Sequence, residues 1–336
     1  MDATTTRPRP GRPTLSDVAR RAGVSGITVS RVVRGQGPIA ATTRERVLGA
    51  IQALGYIPNR SASALASSAS RLVGIVLPSL ANAVMPELVQ GLNHGLAAGR
   101  FQSAIGISDY DLAVEERLVG SMLAWQPAAL VLAGLEHSDG TRALLRTAGV
   151  PVVEVLDIDG RGFDSVVGFS HHAAGAASAR HLLARGHRRF GYVGHAAARD
   201  LRAGKRHAGF TATLREAGLD WHGSELAPGP SSAAGGRAAL ARLLHRAPDL
   251  DVAYFSNDDM AVGGIFPGLA EGIAVPTRLA LFGFNGLELG QAAPLPLSTI
   301  RTPRERIGRE AARLLCEDAP PQVRDLGFEL IEGATA

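Results

Sequence analysis

The fold at the start of the chain is decided by residues 14–34, which read TLSDVARRAGVSGITVSRVVR. The apolar residues of its first part recur at the spacing of one helical face: Leu15, Val18, Ala19 and Ala22. Thr14 can cap this helix, because Thr14-x-x-Asp17 has the form of a capping box that satisfies first-turn N–H groups. Since Gly23 then breaks the pattern, the segment predicts a first helix of about ten residues.

Two further helices follow the first one. Ser25 can cap a second helix whose inner face carries Val29, Val32 and Val33. A third helix is expected to begin at Thr42, where Thr42-x-x-Glu45 is again a capping box, and to end at Gly55. Its buried residues are expected to be Val47, Leu48, Ile51 and Leu54. Two short helices joined by a glycine-containing three-residue turn are the helix-turn-helix pattern.

This pattern gives the second helix a role in reading DNA. Its N-terminal turn would enter the major groove and present Ser25, Gly26, Ile27, Thr28 and Arg31. Arg31 could donate to O6 and N7 of guanine, while Ile27 or Thr28 could contact a thymine methyl. The alternative is a generic pair of amphipathic helices with a solvated arginine.

The distribution of charge supports DNA binding by the start of the chain. Residues 1–67 hold ten arginines against three acidic residues, whereas the chain as a whole carries +4, so residues 68–336 are net negative. A basic segment joined to a mildly acidic body indicates that only this segment meets a polyanion. The alternative is a basic, solvated face.

Length and composition limit the remaining classes of protein. At 336 residues, of which 46% are hydrophobic, the chain predicts two or three folded units with substantial cores. No run approaches 18 apolar residues, and residues 1–13 contain no apolar run, so we expect neither a membrane span nor a secretory signal. The single cysteine, Cys316, excludes a disulfide framework and a cysteine-based metal site. A cytoplasmic location is the simplest expectation.

Three motifs carry a resemblance to a known family. LSDVARRAGVS at 15–25, TVSRVV at 28–33 and GYIPNR at 55–60 strongly resemble the lactose/galactose-repressor (LacI/GalR) family of transcriptional regulators, and the similarity continues through the body. Further motifs at 77–82, 302–306 and 325–328 are most similar to its gluconate-operon repressor branch. The resemblance implies DNA contacts by Thr14, Ser30, Tyr56, Asn59, Arg60 and Ala62. Because Gly26-Ile27 occupies the base-reading position of the family and glycine cannot read a base, specificity is expected to depend on Ile27, Thr28 and Arg31.

The resemblance also implies a hinge helix after Asn59, at about residues 60–67. Eight residues of mostly Ser and Ala cannot hold a helix alone in water, so ordering on DNA is plausible on physical grounds. The family's minor-groove wedge falls on Leu65, which would unstack a central base step and kink the duplex.

The body, residues 71–336, alternates apolar runs with helical patterns. Strands are predicted at 72–77, 101–107, 129–133, 152–155, 189–193, 252–256, 279–283 and 298–301. Helices are predicted at 84–98, 112–124, 139–148, 172–185, 202–217, 236–246, 259–271 and 304–316. This alternation predicts an α/β body of two doubly wound parallel sheets, in agreement with the resemblance, which implies a two-lobed core like a periplasmic sugar-binding protein.

The expected organisation of the chain is a disordered basic arm (1–13), a helix-turn-helix head (14–58), a hinge and linker (59–70), and a body of two lobes. The first lobe is expected at about 71–167 with 300–324, and the second at about 168–299 with 325–332.

Because ligands of open α/β sheets bind at the carboxyl ends of the strands, residues that follow strands are candidates for an effector site. These are Asp157, Asn257, Asn285 and Arg304, with Asp258 expected to cap the helix after Asn257. The resemblance makes Arg206 the effector-binding arginine, Arg202 lies one turn earlier on the same helix face, and Val84 and Met85 complete the set.

Asn285 stands where many relatives carry an aspartate. Two or three arginines facing one crevice, without that aspartate, favour an anionic ligand such as a sugar acid, because the guanidinium fork suits a carboxylate or phosphate. The alternative is that Arg202 and Arg304 are surface charges.

An enzyme and a transport-type solute-binding protein are the two alternatives to a regulator. An enzyme is disfavoured because the chain lacks the glycine-rich phosphate loops and the Gly-x-Ser-x-Gly elbow, and no cofactor or metal is expected. His171-His172 is interpreted as two surface histidines. A transport-type solute-binding protein would suit the body alone, but the basic head and the missing signal peptide disfavour it.

The expected partners are pseudo-palindromic double-stranded operator DNA, a small sugar-acid effector and a second copy of the chain. One small head makes too few contacts for a specific site, so a homodimer would supply the second half-site. The surface near residues 84–96 is the predicted dimer interface. A tetramer is disfavoured because no heptad tail follows the last strand.

Overall fold

The computed structural model of the protein describes residues 13–35, 37–57, 70–81, 83–195, 200–317 and 320–336. The chain divides into two compact units, Met1–Ala69 and Ser70–Ala336. Residues 1–12 of the predicted arm (1–13) and the predicted hinge, with Asn59, Arg60, Ala62 and Leu65, lie outside the described residues.

The first unit contains three helices, α1 (Leu15–Ala22), α2 (Gly26–Arg34) and α3 (Ala41–Leu54). Thr14 caps α1 as predicted, because its hydroxyl accepts from the N–H of Asp17 while the Asp17 carboxylate accepts from the N–H of Thr14. Ser25 caps α2 by accepting from the N–H of Thr28. The turn between α1 and α2 starts at Gly23, whose φ of 63° is the left-handed conformation that glycine adopts without cost. The helix-turn-helix prediction is therefore confirmed.

The start and the buried face of α3 differ from the prediction. The helix begins at Ala41 with Ala40 as its N-cap and no side-chain cap, so the capping box at Thr42 was wrong. Because Thr42 already lies inside the first turn, its side chain cannot cap that turn. Leu48 is 51% exposed, whereas Val47 and Ala50 are buried. On a helix of 3.6 residues per turn, Leu48 lies beside the narrow face that three small helices can cover.

The first lobe of the second unit is built on a six-stranded parallel sheet. Its strands are β1 (Leu72–Leu77), β2 (Gln102–Ile107), β3 (Ala129–Ala133), β4 (Val152–Val155), β5 (Ser165–Gly168) and β11 (Val323–Asp325), in the order β11-β5-β4-β3-β1-β2. Its helices are α4 (Val84–Ala98), α5 (Leu112–Leu123), α6 (Asp139–Ala148) and α12 (Arg304–Cys316). Strand β1 lies between β3 and β2 and pairs in parallel on both sides, with Val73 opposite Ser103 and Ala129.

The second lobe is built on a four-stranded parallel sheet in the order β7-β6-β8-β9. These strands are β6 (Phe190–His195), β7 (Trp221–Ala227), β8 (Val252–Phe255) and β9 (Ala280–Phe282). The helices are α7 (His171–Ala184), α8 (Leu201–Glu216), α9 (Ala233–Arg246), α10 (Asp258–Glu271) and α11 (Glu288–Gln291). Strand β10 (Thr299–Arg301) pairs antiparallel with β12 (Glu329–Ile331). The expected pair of parallel sheets is confirmed, and none of the described helices is long and apolar enough to cross a membrane.

Four strands were absent from the sequence prediction, namely β5, β7, β11 and β12. Strand β7 alternates between half-buried and exposed residues, and β11 is exposed along its whole length. Edge strands of this kind bury too little apolar surface to leave a hydrophobic run in the sequence.

Glycines bring three pairs of helices into backbone contact. They lie on α4 and α12 (Gly91, Gly308), on α7 and α8 (Gly175, Gly209) and on α9 and α10 (Gly236, Gly263). A Cβ atom at Gly175 would lie 1.9 Å from the carbonyl oxygen of Arg206, and one at Gly209 would lie 2.0 Å from that of His172. The α7–α8 contact therefore fixes the backbone that carries Arg206.

We predict opposite effects of two substitutions on α8. Gly209→Ala should lower the free energy of unfolding by at least 1–3 kcal/mol, because the new methyl group overlaps the backbone of α7. Gly204→Ala, on the exposed side of the same helix with open space around it, should raise it by up to about 1 kcal/mol. Urea unfolding of the three proteins measures both changes, and equal stability of the two variants would contradict the close packing.

Candidate DNA-binding and effector sites

The first two turns of α2 present two exposed side chains, Ile27 and Arg31. Ile27 is 68% exposed, which is unusual for a large apolar residue in a folded protein. Thr28 and Ser30 are half-buried, and the hydroxyl of Thr28 lies 2.9 Å from that of the capping residue Ser25. Of the predicted reading residues, Ser25, Ile27 and Arg31 are therefore exposed, and the hydroxyl of Ser25 is engaged in the cap.

Other predicted DNA contacts of the first unit have packing roles. A Cβ atom at Gly26 would lie 3.0 Å from Cδ2 of Leu15, so a small residue lets α1 and α2 cross closely. Thr14 is engaged in its cap, and Tyr56 is half-buried against the hydrophobic core of the three helices.

A cavity of about 470 Å³ lies between the two lobes of the second unit. Residues that follow parallel strands of both sheets line it, as the carboxyl-end rule predicts: Pro78, Ser79, Leu156, Phe169 and Asn257. The predicted residues Val84, Met85, Arg202, Arg206 and Asn285 line it as well.

Arg206 is the buried cation of this cavity, with 4% of its surface exposed. Its guanidinium donates to Nδ1 of His171 at 3.1 Å and to the carbonyl oxygen of Ser256 at 3.0 Å. Its Cζ atom lies 4.0 Å from the ring centre of Phe284. Among the described residues no carboxylate forms an ion pair with Arg206, and its Nε has no hydrogen-bond partner.

His171 is buried beside Arg206, so the interpretation of His171-His172 as two surface residues was wrong for His171. Burial, followed by the charge of Arg206, holds the pKa of His171 well below its usual value, and the ring is neutral. Its Nε2 donates to the carbonyl oxygen of Leu156 at 3.0 Å, which leaves Nδ1 free to accept from Arg206. His172 is exposed, as predicted.

Asn257 and Asn285 form an amide pair at the cavity, with Nδ2 of Asn285 3.3 Å from Oδ1 of Asn257. Asp258 does not cap α10 as predicted, because the N-cap is Asn257 and it makes no side-chain cap. The Asp258 carboxylate instead accepts from the N–H of Leu287 and the hydroxyl of Thr299, both at 2.6 Å. Burial raises the pKa of Asp258 to about 6.

Two of the predicted effector residues do not line the cavity. Asp157 is fully buried and its carboxylate lies 2.5 Å from Nζ of Lys205. Arg304 lies 2.9 Å from the carboxylate of Glu87 and also donates to the carbonyl oxygen of Asn285. Asp157 and Arg304 both follow strands, as predicted, but each already forms an ion pair with another side chain.

Comparisons with known proteins agree with this geometry. Residues 14–59 match bacterial regulatory proteins of the lacI family, and residues 179–336 match a periplasmic binding protein-like domain. The chain is 42% identical to the HTH-type transcriptional regulator GntR of Pseudomonas aeruginosa over 96% of its own length and 95% of that protein. The chain belongs to the lacI family.

Two further relatives are similar to this protein over almost its whole length. The GntR regulator of Escherichia coli K12 is 35% identical over 96% of this chain and 98% of its own. The crystal structure of a LacI-family regulator from Silicibacter pomeroyi is 41% identical, covers 96% of this chain and 99% of its own, and superposes with a TM-score of 0.91. These relatives are transcriptional regulators, and this protein is accordingly a DNA-binding transcriptional regulator with an effector-binding domain.

Sequence reasoning missed several lining residues of this regulator, among them Asp109, Tyr110 and Asp200. Asp200 caps α8 by accepting from the N–H of Ala203. Burial alone would raise the pKa of Asp200. The positive charges of Arg202 and Arg206 outweigh this effect, so the pKa of Asp200 is below its usual value. Asp109 and Tyr110 could have been predicted from the sequence, because they come shortly after the carboxyl end of β2.

Backbone strain is concentrated at the cavity. Four non-glycine residues of its lining have positive φ angles: Asp109 (50°), Tyr110 (59°), Leu156 (79°) and Asn285 (123°). Such conformations each cost of order 1–3 kcal/mol and persist where the surrounding structure holds them. The lining is therefore held in place by its surroundings.

A buried ionic cluster fixes the loop that follows β3 in the first lobe. Nδ1 of His137 lies 2.7 Å from Glu115 and Nε2 lies 3.2 Å from Glu154, while all three side chains are buried. Burial lowers the pKa of His137, but the hydrogen bond to Glu115 and the nearby carboxylate of Glu154 raise this pKa to about 9. Glu115 lines a neighbouring cavity of about 370 Å³, so this cluster forms part of the wall of that cavity.

We predict that His137 makes the stability of the second unit depend on pH. Its pKa rises from 6.5 to about 9 on folding, so its contribution is complete below pH 6.5 and is lost as the pH rises through 9. The expected loss is roughly 3 kcal/mol. The free energy of unfolding should be measured by urea titration between pH 6 and 10. His137→Gln should remove this dependence of the unfolding free energy on pH, while His222→Gln, at an exposed histidine, should retain it. If the unfolding free energies of H137Q and the unmodified protein change in parallel with pH, His137 is not the group responsible.

Proposed function

We propose that this regulator represses sugar-acid catabolic genes in the cytoplasm, as a homodimer on pseudo-palindromic operator DNA, and that an anionic gluconate-type acid releases it. The observation that carries the effector proposal is the buried guanidinium of Arg206, whose hydrogen-bond and ring partners among the described residues are all neutral. Removing a charge from water costs several kcal/mol unless an opposite charge compensates it. A ligand carboxylate at Arg206 would supply that charge.

The atoms around Arg206 suit an anion bound at one edge of the guanidinium. Its Nη atoms are engaged by His171 and Ser256, and Phe284 covers one face, while the buried Nε has no hydrogen-bond partner among the described residues. The neutral His171 accepts a hydrogen bond from the guanidinium but does not neutralise its positive charge, which therefore remains for a ligand carboxylate. Arg202, four residues earlier, adds a second cation to the lining.

The remainder of the lining suits a polyhydroxylated chain. Asn257 and Asn285 offer amide donors and acceptors, and Ser79 and Ser231 offer hydroxyl groups. Val84, Met85 and Phe169 form apolar walls against which the carbon chain can pack. A volume of about 470 Å³ lies within the usual range for small-molecule sites.

A neutral sugar is the second candidate effector, because Asp109 and Asp200 also line the cavity. Carboxylates commonly accept hydrogen bonds from sugar hydroxyls, and these two offset part of the positive charge. Asp200, however, is already bound by Ala203 and lies 3.8 Å from His195. The anionic effector therefore remains the better match.

The proposed dimer would use the outer surface of α4 and the neighbouring edge strand β2. Leu80 and Ile105 are about half-exposed there, beside Val89 and Asn93. Strand β2 is an edge of the six-stranded sheet, so a second copy could cover it. Two heads of a dimer would read the two half-sites of an operator.

We predict that Arg31 reads one base pair in each half-site. Arg31→Ala should weaken operator binding by about 1–3 kcal/mol and relax the preference at one position, because a bidentate contact to guanine is lost. Arg46→Ala removes the same charge from α3 and should affect all DNA sequences alike. Binding of the two variants to a library of operator variants measures this, and an unchanged base preference for R31A would contradict the placement of α2 in the groove.

We predict that Arg206 discriminates between acids and neutral sugars. Arg206→Ala should weaken gluconate binding about ten- to a hundredfold, because a charge-assisted hydrogen bond contributes about 1.5–3 kcal/mol. Isothermal titration calorimetry with gluconate, glucose and sorbitol measures this. Arg215→Ala, at an exposed position of the same helix, should bind gluconate normally. R206A should still bind operator but no longer respond to the acid.

Neutral compounds that bind the unmodified protein as tightly as gluconate would refute the anionic effector. The assignment of the protein as a DNA-binding regulator would be unaffected, since it depends on the head and on the family.

A further inference from the structure

Lys205 is the single lysine of a chain that contains 35 lysines and arginines. It lies on α8, next to Arg206, and belongs to the second lobe. Its Nζ is 2.5 Å from Oδ2 of Asp157 and 2.6 Å from Oε1 of Glu136. Both carboxylates belong to the first lobe, where Glu136 follows β3 and Asp157 follows β4. One ammonium group therefore connects the two lobes at the edge of the crevice.

The chemistry of this cluster suits lysine better than arginine. An ammonium is a compact charge with three donors, whereas the planar guanidinium fork prefers both oxygens of one carboxylate. Here two carboxylates come from two different loops and approach one nitrogen. Burial lowers the pKa of Lys205, but the hydrogen bonds that its ammonium donates to Asp157 and Glu136 raise this pKa above its usual value. The hydrogen bond from Lys205 likewise lowers the pKa of Glu136, despite the opposing effect of burial.

The cluster adjoins the proposed effector cavity. Leu156, which precedes Asp157, lines it, and so does Arg202, one turn before Lys205 on α8. Glu136 lines the neighbouring cavity, which shares Tyr110 and Arg202 with the first. Asp157 is fully buried, so water cannot screen its charge well. Without a cation beside it, this carboxylate would oppose an anion bound at Arg206.

We propose that Lys205 determines the charge specificity of the cavity: by pairing with Asp157 and Glu136 it removes their repulsion and allows an anionic effector to bind at Arg206. The inference depends on the anionic effector proposed above and adds the residue that makes it possible. Lys205 acts through Asp157 and does not itself contact the ligand. It also holds α8 against the first lobe while doing so.

A double-mutant cycle between Lys205 and Asp157 tests this role. Gluconate and sorbitol, which have carbon chains of the same length, are titrated calorimetrically into the full-length unmodified protein, K205M, D157N and K205M/D157N. K205M should bind gluconate about tenfold more weakly, because the unpaired Asp157 repels it, and sorbitol should change by less than about twofold. K205M/D157N should recover most of the lost gluconate affinity. R215M removes an exposed positive charge from the same helix and should leave both affinities unchanged.

The outcomes separate this inference from the proposed effector. If the unmodified protein does not bind gluconate in preference to sorbitol, the anionic effector and the role of Lys205 are both wrong. If it does and K205M binds gluconate equally well, only the role of Lys205 is wrong. A loss in K205M that D157N fails to relieve would show a purely structural role and also overturn the proposal.

A measurement on the unmodified protein covers the case in which K205M does not fold. Protein labelled with [15N]lysine contains one side-chain ammonium group, so a single Nζ resonance reports on Lys205. Ion pairing predicts slow exchange of its protons with water, and gluconate should shift this resonance more than sorbitol does. A rapidly exchanging resonance that gluconate does not perturb would overturn the proposal.

Discussion

The arrangement of the effector site depends on one buried cation, Arg206, and on the helix contact that places it. Gly175 of α7 leaves room for the carbonyl oxygen of Arg206, so two helices of the second lobe pack backbone to backbone at this residue. The guanidinium then lies over Phe284 and donates to Ser256, which follows β8. Helix packing, strand ends and ring contacts thus converge on one side chain. A substitution far from the cavity that shifted α7 would move the charge that the site is built around.

Two of the links between α8 and the first lobe use the residues that follow β4. Leu156 accepts from His171, which in turn accepts from Arg206, while Asp157 pairs with Lys205. Because consecutive residues of α8 are tied in this way to consecutive residues of the first lobe, a ligand at Arg206 acts close to contacts that hold the lobes together. An effector can change operator affinity only through a different affinity for two lobe arrangements. These contacts are where such a difference would arise.

The sequence predicted the elements that follow regular patterns. Helix periodicity and caps gave α1 and α2, and strand–helix alternation gave the two parallel sheets, because burial of one face leaves a period in the chain. The failures have local causes. Thr42 fitted a capping box, but α3 begins one residue earlier, and exposed strands such as β11 leave no apolar run. His171 was interpreted as a surface residue because two adjacent histidines carry no sign of which one faces inward.

The sequence by itself determined that a basic helix-turn-helix head precedes a two-lobed α/β body, and that residues after certain strands face a crevice. It did so because capping, periodicity and charge are local or cumulative properties of the chain. Only the tertiary structure decided which charges of the crevice are available. Asp157 and Arg304 follow strands just as Asn257 does, but Lys205 and Glu87 bind them, while Arg206 forms hydrogen bonds only with neutral groups among the described residues. Those partners lie 35 to 217 residues away in sequence, so no local pattern can specify them, and their pairing is set by how the helices and sheets pack.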